Sequence, residues 1–302
     1  MNKWLVMAVV LLSLSFRIAE ARANEVAEGF VASSDHIRIH YLQSGNAHAE
    51  NSLLLIPGWR ISATIWSHQL QELPSRGYRV VTIDSRSQGR STVASRNAPE
   101  DRALDIRSVM RGLHLRHVTL VGWSQGAQDV AAYVNQVGTS EVDAFVLVDS
   151  PVSAGPADIA ENPVFVKAIL QGVSSYHADP HAYTDGMMHS IITAATPNKT
   201  FDHLIQEASK TPTDVGISML IQDVLTTDRR PALKKFDKPT LVIASADSRL
   251  LDEQKAMAKA LPAGRFIAID HAGHAVFFDQ PQVFNQQLDD FIKSSAGSAG
   301  HG

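Results

Sequence analysis

Short, largely apolar runs recur along the chain at near-regular intervals. They are Ser52–Ile56, Tyr78–Ile83, Val118–Val121, Ala144–Val148, Pro239–Ala244 and Arg265–Ile269. Runs of this length, bounded by turn residues, predict strands covered on both faces. Between and after them lie stretches with apolar residues at helical spacing: Ile65–Leu73, Pro99–Leu113, Ala127–Val137, Asp252–Leu261 and Gln282–Ile292. Strand and helix in alternation predict a parallel sheet wrapped by helices on both sides. Upstream, Ile37, Ile39 and Tyr41 alternate with polar residues. That pattern predicts two short strands around a Ser-Asp turn, with one buried face.

The rhythm breaks between Val152 and about Arg230, which carries no buried strand pattern. Four short helices are expected there, over 163–173, 183–195, 201–209 and 215–225. An insertion beyond one strand of a parallel sheet sits over the edge where ligands bind. The expected layout is therefore a core of 24–151 and 231–294, a helical cap of 152–230, and a disordered Gly/Ser/Ala tail of 295–302. Phe165, Ile169, Leu170, Met187, Met188, Ile191, Ile192, Leu220 and Leu225 are spaced as inward faces of cap helices. The cap is expected to set substrate size and to contribute little to chemistry.

The start of the chain has a different character. Lys3 precedes an apolar run from Trp4 to Phe16, and Ala21-Arg22-Ala23 offers a small-x-small cleavage pattern. This predicts a signal peptide over 1–23 and a secreted or periplasmic protein with no stable membrane span after processing. The absence of cysteine excludes disulfides, thiolate metal sites and a cysteine nucleophile. A formal charge of −4, with acidic and basic residues in mixed order, offers no nucleic-acid tract.

The chemistry concentrates at Gly122-Trp123-Ser124-Gln125-Gly126, which follows a predicted strand and opens a predicted helix. G-x-S-x-G in that setting places a serine on a tight strand-to-helix turn, with glycines allowing close approach. A serine nucleophile needs a base, and the base needs an acid to orient it. The order nucleophile, acid, histidine is met by Ser124, Asp247 and His274, each just beyond a buried strand. Asp149, which ends the preceding strand, is the alternative acid, and His271 is expected to be a loop residue.

These pieces, with Pro57-Gly58-Trp59, Asp84–Ser91 and Gly273-His274 before Phe277-Phe278-Asp279-Gln280-Pro281, resemble the α/β-hydrolase superfamily from about residue 30 to 294. The resemblance is strongest to small carboxylesterases and cofactor-free haloperoxidases with a helical cap. It implies a catalytic triad and an oxyanion hole built from the backbone N–H groups of Trp59 and Gln125, with no metal or organic cofactor. Two features depart from the pattern. Pro57 stands where a histidine usually buttresses the oxyanion loop. Ser245 replaces a usual glycine, and Asp247 lies one residue closer to its strand than is common.

The function so implied is a serine hydrolase that cleaves a small-molecule carboxylic ester through an acyl-enzyme. C–C hydrolase, lactonase or perhydrolase chemistry on the same triad is the alternative, and a non-catalytic binding protein is a third. Trp123, Met187, Met188 and Leu220 are the expected substrate contacts. The sequence does not specify the oligomeric state.

Overall fold

The computed structural model describes residues 25–153 and 163–299; the expected signal peptide lies outside them. Eight strands form one sheet: β1 (Ala27–Ala32), β2 (Arg38–Ser44), β3 (Ser52–Ile56), β4 (Arg79–Ile83), β5 (Val118–Trp123), β6 (Ala144–Val148), β7 (Thr240–Ser245) and β8 (Gly264–Ile269). Their order is β1-β2-β4-β3-β5-β6-β7-β8. The first two strands join antiparallel, and β4, β3, β5, β6, β7 and β8 run parallel.

The apolar runs are continuous because the inner strands are covered on both faces. Leu53, Leu55 and Val121 face a layer containing Trp66, Phe277, Phe284 and Leu288. Leu54, Ile56 and Leu120 face the opposite layer, with Ile106, Val130, Tyr133 and Phe236. Each such Leu, Ile or Val, fully buried, stabilises the fold by roughly 1.5–3 kcal/mol. The helices that supply these layers are α1 (Ser67–Glu72), α2 (Pro99–Gly112), α3 (Gln125–Gln136), α8 (Leu251–Ala260), α9 (Val276–Asp279) and α10 (Pro281–Ala299).

Between β6 and β7 stand α4 (Pro163–Ala178), α5 (Pro180–Ile191), α6 (Asn198–Ala208) and α7 (Thr213–Leu225). They form the cap. Its apolar faces are not a separate core, since Met188, Ile192, Phe201, Leu204 and Ile205 join the same layer as Trp66 and Phe277. The expected tail is a correction: α10 continues to Ala299. Phe291 and Ile292 are buried, and the Ser294 and Ser295 hydroxyls both donate back to the Phe291 carbonyl, at 2.9 and 2.8 Å. The helix is thereby carried past the point where apolar periodicity fades.

The strand order places the site. From β3 the chain moves outward to β4, then returns across β3 to β5. The loops leaving β3 and β5 therefore diverge from adjacent strand ends, where Ile56 pairs with Gly122. This is a topological switch point, where parallel sheets open a crevice.

Glycine 122 is required there by packing, because a Cβ would lie 2.3 Å from the Gly126 carbonyl oxygen. Gly122→Ala should lower stability by roughly 3 kcal/mol or more, since neither backbone can move aside. Gly186→Ala, exposed on α5 with open space around it, should instead raise stability by up to ~1 kcal/mol. Urea unfolding midpoints of the two variants check both signs.

Candidate active site

Ser124 joins β5 to α3 at φ 56° and ψ −119°. A side chain other than glycine rarely holds such a backbone, at an expense of order 1–3 kcal/mol. The neighbours enforce it. Gly126 lets α3 close on β3, where a Cβ would meet the Ile56 carbonyl at 2.6 Å. Gly58 brings the β3 loop against the serine, with 3.1 Å between its virtual Cβ and the Ser124 Cβ. Gln125 opens α3, so its N–H has no acceptor within the helix. It points, with the helix dipole, toward the turn.

Ser124 and His274 line one cavity of about 240 Å³, together with Gly58, Trp59, Trp123 and Tyr183. Cap residues Ile169, Met187, Ile191 and Leu220 complete its apolar wall. Trp123 is held as well as exposed to the cavity. Its indole nitrogen donates to the His274 carbonyl at 2.9 Å, and its ring lies 5.2 Å from the imidazole. The residue before the serine thus fixes the loop that carries the histidine. Met188 does not reach the cavity; it is fully buried in the core layer. That corrects the expected contact, because Met187 and Met188 leave the helix in different directions and only one can face inward.

The acid is also corrected. His274 Nδ1 lies 2.7 Å from Asp149 Oδ2. The other Asp149 oxygen accepts from the Ser245 N–H at 2.9 Å and the Gln254 amide at 3.1 Å. Burial alone would raise the Asp149 pKa, but His274 beside it, with the Ser245 and Gln254 donors, holds the carboxyl below its usual range. Asp247 is exposed beyond the end of β7, and its backbone N–H donates to the Ser245 hydroxyl at 3.1 Å. The sheet explains the choice. Asp149 leaves β6 at a positive φ of 44°, and its carboxylate crosses the end of β7 toward the loop after β8. Ser245 supplies the N–H that receives it.

The histidine loop has further supports. The Ser245 hydroxyl donates to the Ala272 carbonyl at 2.6 Å. Asp279 accepts from the N–H groups of Gly273, Thr193 and Ala194, joining this loop to the end of α5. His271 is exposed, and its carbonyl accepts from the Gln280 amide. Asp84 binds the N–H groups of Ala63 and Arg90 and contacts His40, while Arg86 pairs with Asp105. Both organise the loop after β4.

Residues missed by sequence reasoning cluster where the cap meets the core. Arg60 is 1% exposed, with its guanidinium carbon 4.0 Å from the Tyr176 ring centroid and 5.1 Å from that of Trp59. Its Nη2 donates to Thr184 Oγ1 at 2.7 Å and to the Ala208 carbonyl at 3.4 Å. Burial pushes its pKa down. Arg102 of α2 joins Asp129 of α3 to Asp223 of α7, at 2.8 and 2.7 Å, with all three side chains buried. Burial raises Asp129 to about 7 despite the guanidinium. A lone arginine in a turn, like Arg60, or single charged residues in helical stretches, like Arg102, Asp129 and Asp223, carry no sequence signal that would have marked either group.

The chain belongs to the alpha/beta hydrolase family, whose family model matches residues 53–287. It is 26% identical over 281 residues to the non-heme chloroperoxidase of Streptomyces lividans, across 88% of this chain and all of that one. It is 24% identical over 290 residues to the bifunctional esterase/perhydrolase DCH of Acinetobacter calcoaceticus, covering 88% and 100% of the two chains. Among solved structures, an esterase from Exiguobacterium antarcticum shares the fold with a TM-score of 0.76 at 19% identity, over 87% of this chain and 98% of that one.

The two candidate acids can be separated directly. Asp149→Asn should cut kcat by about 10⁴-fold while the protein stays folded, because an amide favours the wrong imidazole tautomer. Asp247→Asn should change kcat by less than about 2-fold, as expected of an exposed side chain away from the pair. Steady-state hydrolysis, with circular dichroism on each variant, measures both.

Proposed function

We propose that this hydrolase-family enzyme cleaves a carboxylic ester with a small apolar acyl group through a Ser124 acyl-enzyme. The observation that carries the proposal is the Asp149–His274 pair at 2.7 Å, on a loop facing the same cavity as the strained serine. His274 Nε2 takes the Ser124 proton as Oγ attacks the acyl carbon. Asp149 holds Nδ1 and stabilises the imidazolium that forms. The N–H groups of Trp59 and Gln125 receive the developing oxyanion, where a single donor is worth about 3 kcal/mol. The protonated histidine returns its proton to the leaving alcohol, and water, activated in the same way, releases the acid.

The cavity limits the substrate. About 240 Å³ with an apolar wall lies below the size of a site for drug-sized ligands. It suits a short acyl chain, and Ile169, Met187 and Leu220 would close its far end. Perhydrolysis is the second reading, supported by the esterase/perhydrolase relative. It needs only that hydrogen peroxide, rather than water, attack the acyl-enzyme. Export also belongs to this proposal: the 1–23 segment would be removed, and no described helix is long and apolar enough to cross a membrane.

Three measurements test these points. A fluorophosphonate probe should label Ser124 in the wild type and leave Ser124→Ala unlabelled; an unlabelled wild type sinks the acyl-enzyme. Across a 4-nitrophenyl ester series, kcat/KM should peak between acetate and butyrate and fall at least about 10-fold by octanoate. Leu220→Ala should move the peak to longer chains, since each buried methylene is worth about 0.8 kcal/mol. Expressed in an exporting host, the mature protein should begin at Asn24 by N-terminal sequencing.

A further inference from the structure

We propose that the cap holds the oxyanion hole in shape, with Arg60 and Asp223 as the positioning residues that transmit its grip. The proposal rests on Trp59 and Gln125 as the oxyanion donors. Both residues are anchored through their side chains, and both anchors lead to the cap.

The Trp59 loop is held from four cap helices. Its indole nitrogen donates to the Gly216 carbonyl of α7 at 2.8 Å, and its ring meets Tyr176 of α4 and Tyr183 of α5 edge-on. Arg60, the next residue, reaches Thr184 of α5 and the Ala208 carbonyl of α6 and lies over the Tyr176 ring. Its backbone sits at φ 61°, a conformation the loop disfavours on its own. Among the described residues no carboxylate pairs with this buried cation. A guanidinium without a counter-charge prefers water, so its seat is favourable only while the tyrosine face and the two oxygen acceptors of the cap surround it. Pro57 stands where the family resemblance places a buttressing histidine; the cap side supplies the support instead.

Gln125 is held at both ends of its amide. Its oxygen accepts from Gln88 Nε2 at 2.9 Å, and its nitrogen donates to Asp223 of α7. Asp223 is fixed in turn by Arg102, which also grips Asp129 one turn along α3 from Gln125. Arg229 adds a bond to the Asp223 carbonyl at 3.3 Å. One cap helix, α7, therefore touches the side chains of both oxyanion residues, through Gly216 and Asp223. If the cap shifts, the two N–H groups move apart or turn, and the loss falls on the transition state rather than on the bound ester.

The test compares two ligands of the same shape on the full chain. An alkyl trifluoromethyl ketone forms a bond from Ser124 Oγ to its carbonyl carbon; the carbonyl electron pair becomes an oxyanion and the serine proton passes to His274. The matching secondary alcohol fills the cavity without reacting. In Asp223→Asn and in Arg60→Met, kcat for 4-nitrophenyl acetate should fall about 10- to 100-fold, a fraction of the effect of deleting a whole donor, with KM within about 2-fold. Ketone affinity should fall in parallel and alcohol affinity should hold. Arg60→Lys should restore part of the kcat. Should either variant fail to fold, Gln125→Met keeps the backbone N–H and the side-chain volume while removing the amide, and should show the same split. Equal weakening of ketone and alcohol, or an unchanged kcat in folded variants, overturns the proposal while leaving the acyl-enzyme intact. A wild type that the fluorophosphonate leaves unlabelled overturns both.

Discussion

Ser124 is held at a backbone conformation it would not choose, and much of the molecule can be traced to that constraint. Two backbones must pass where a side chain would collide, so Gly122 and Gly126 face each other across a gap closed to a Cβ. The helix that follows must start at once, which leaves the Gln125 N–H free of the helix ladder. The neighbouring strand must end at the same level, which brings Gly58 and its loop beside the serine. The strain of order 1–3 kcal/mol is small against the burial of β3, β5 and β6, whose residues are all buried. A sheet of that solidity is what allows Ser124 to be kept in an unfavourable pose.

The sheet was legible because doubly covered strands have no polar face. Ser52–Ile56, Ala144–Val148 and their partners read as strands from composition alone, and each is one. The serine and histidine were legible for a related reason: their motifs encode local backbone geometry. The acid was not. Asp149 and Asp247 both follow buried strands, and local sequence offers only an indirect sign of which one reaches His274. What distinguishes them is lateral: β7 lies between β6 and β8, so the carboxylate must reach over it, and only the Ser245 N–H shows how. The unusual serine at 245 and the short spacing from the strand to Asp247 were the visible traces. Arg60, Arg102 and Asp223 were silent, because a buried ion or cation–π contact joins residues up to 121 positions apart. The C-terminal stretch misled for the opposite reason, its small residues being as fit for helix as for tail.

Charge is distributed in the interior with a purpose beyond stability. Replacing a buried ion group by apolar residues of similar volume is often neutral or stabilising, while removing one partner is expensive. Arg102 with Asp129 and Asp223 is therefore weak as a source of net stability but strict about geometry. It admits one relative placement of α2, α3 and α7. An apolar contact at that junction would tolerate sliding.

Asp149 directly follows β6, just before the chain departs for the cap, and that position ties two kinds of change together. In a hydrolase whose acid sits after β7, the excursion between β6 and β7 can be rebuilt wholesale without touching the triad. Here the root of the excursion is the aspartate that pairs with His274, and its far helix clasps the residue after Ser124. Wholesale exchange of the cap is a poor route to a new specificity for this chain. Its accessible variation runs instead through single side chains on the cavity wall, at Ile169, Met187, Ile191 and Leu220. Such a scaffold diversifies in small steps, trading evolutionary reach for an undisturbed centre.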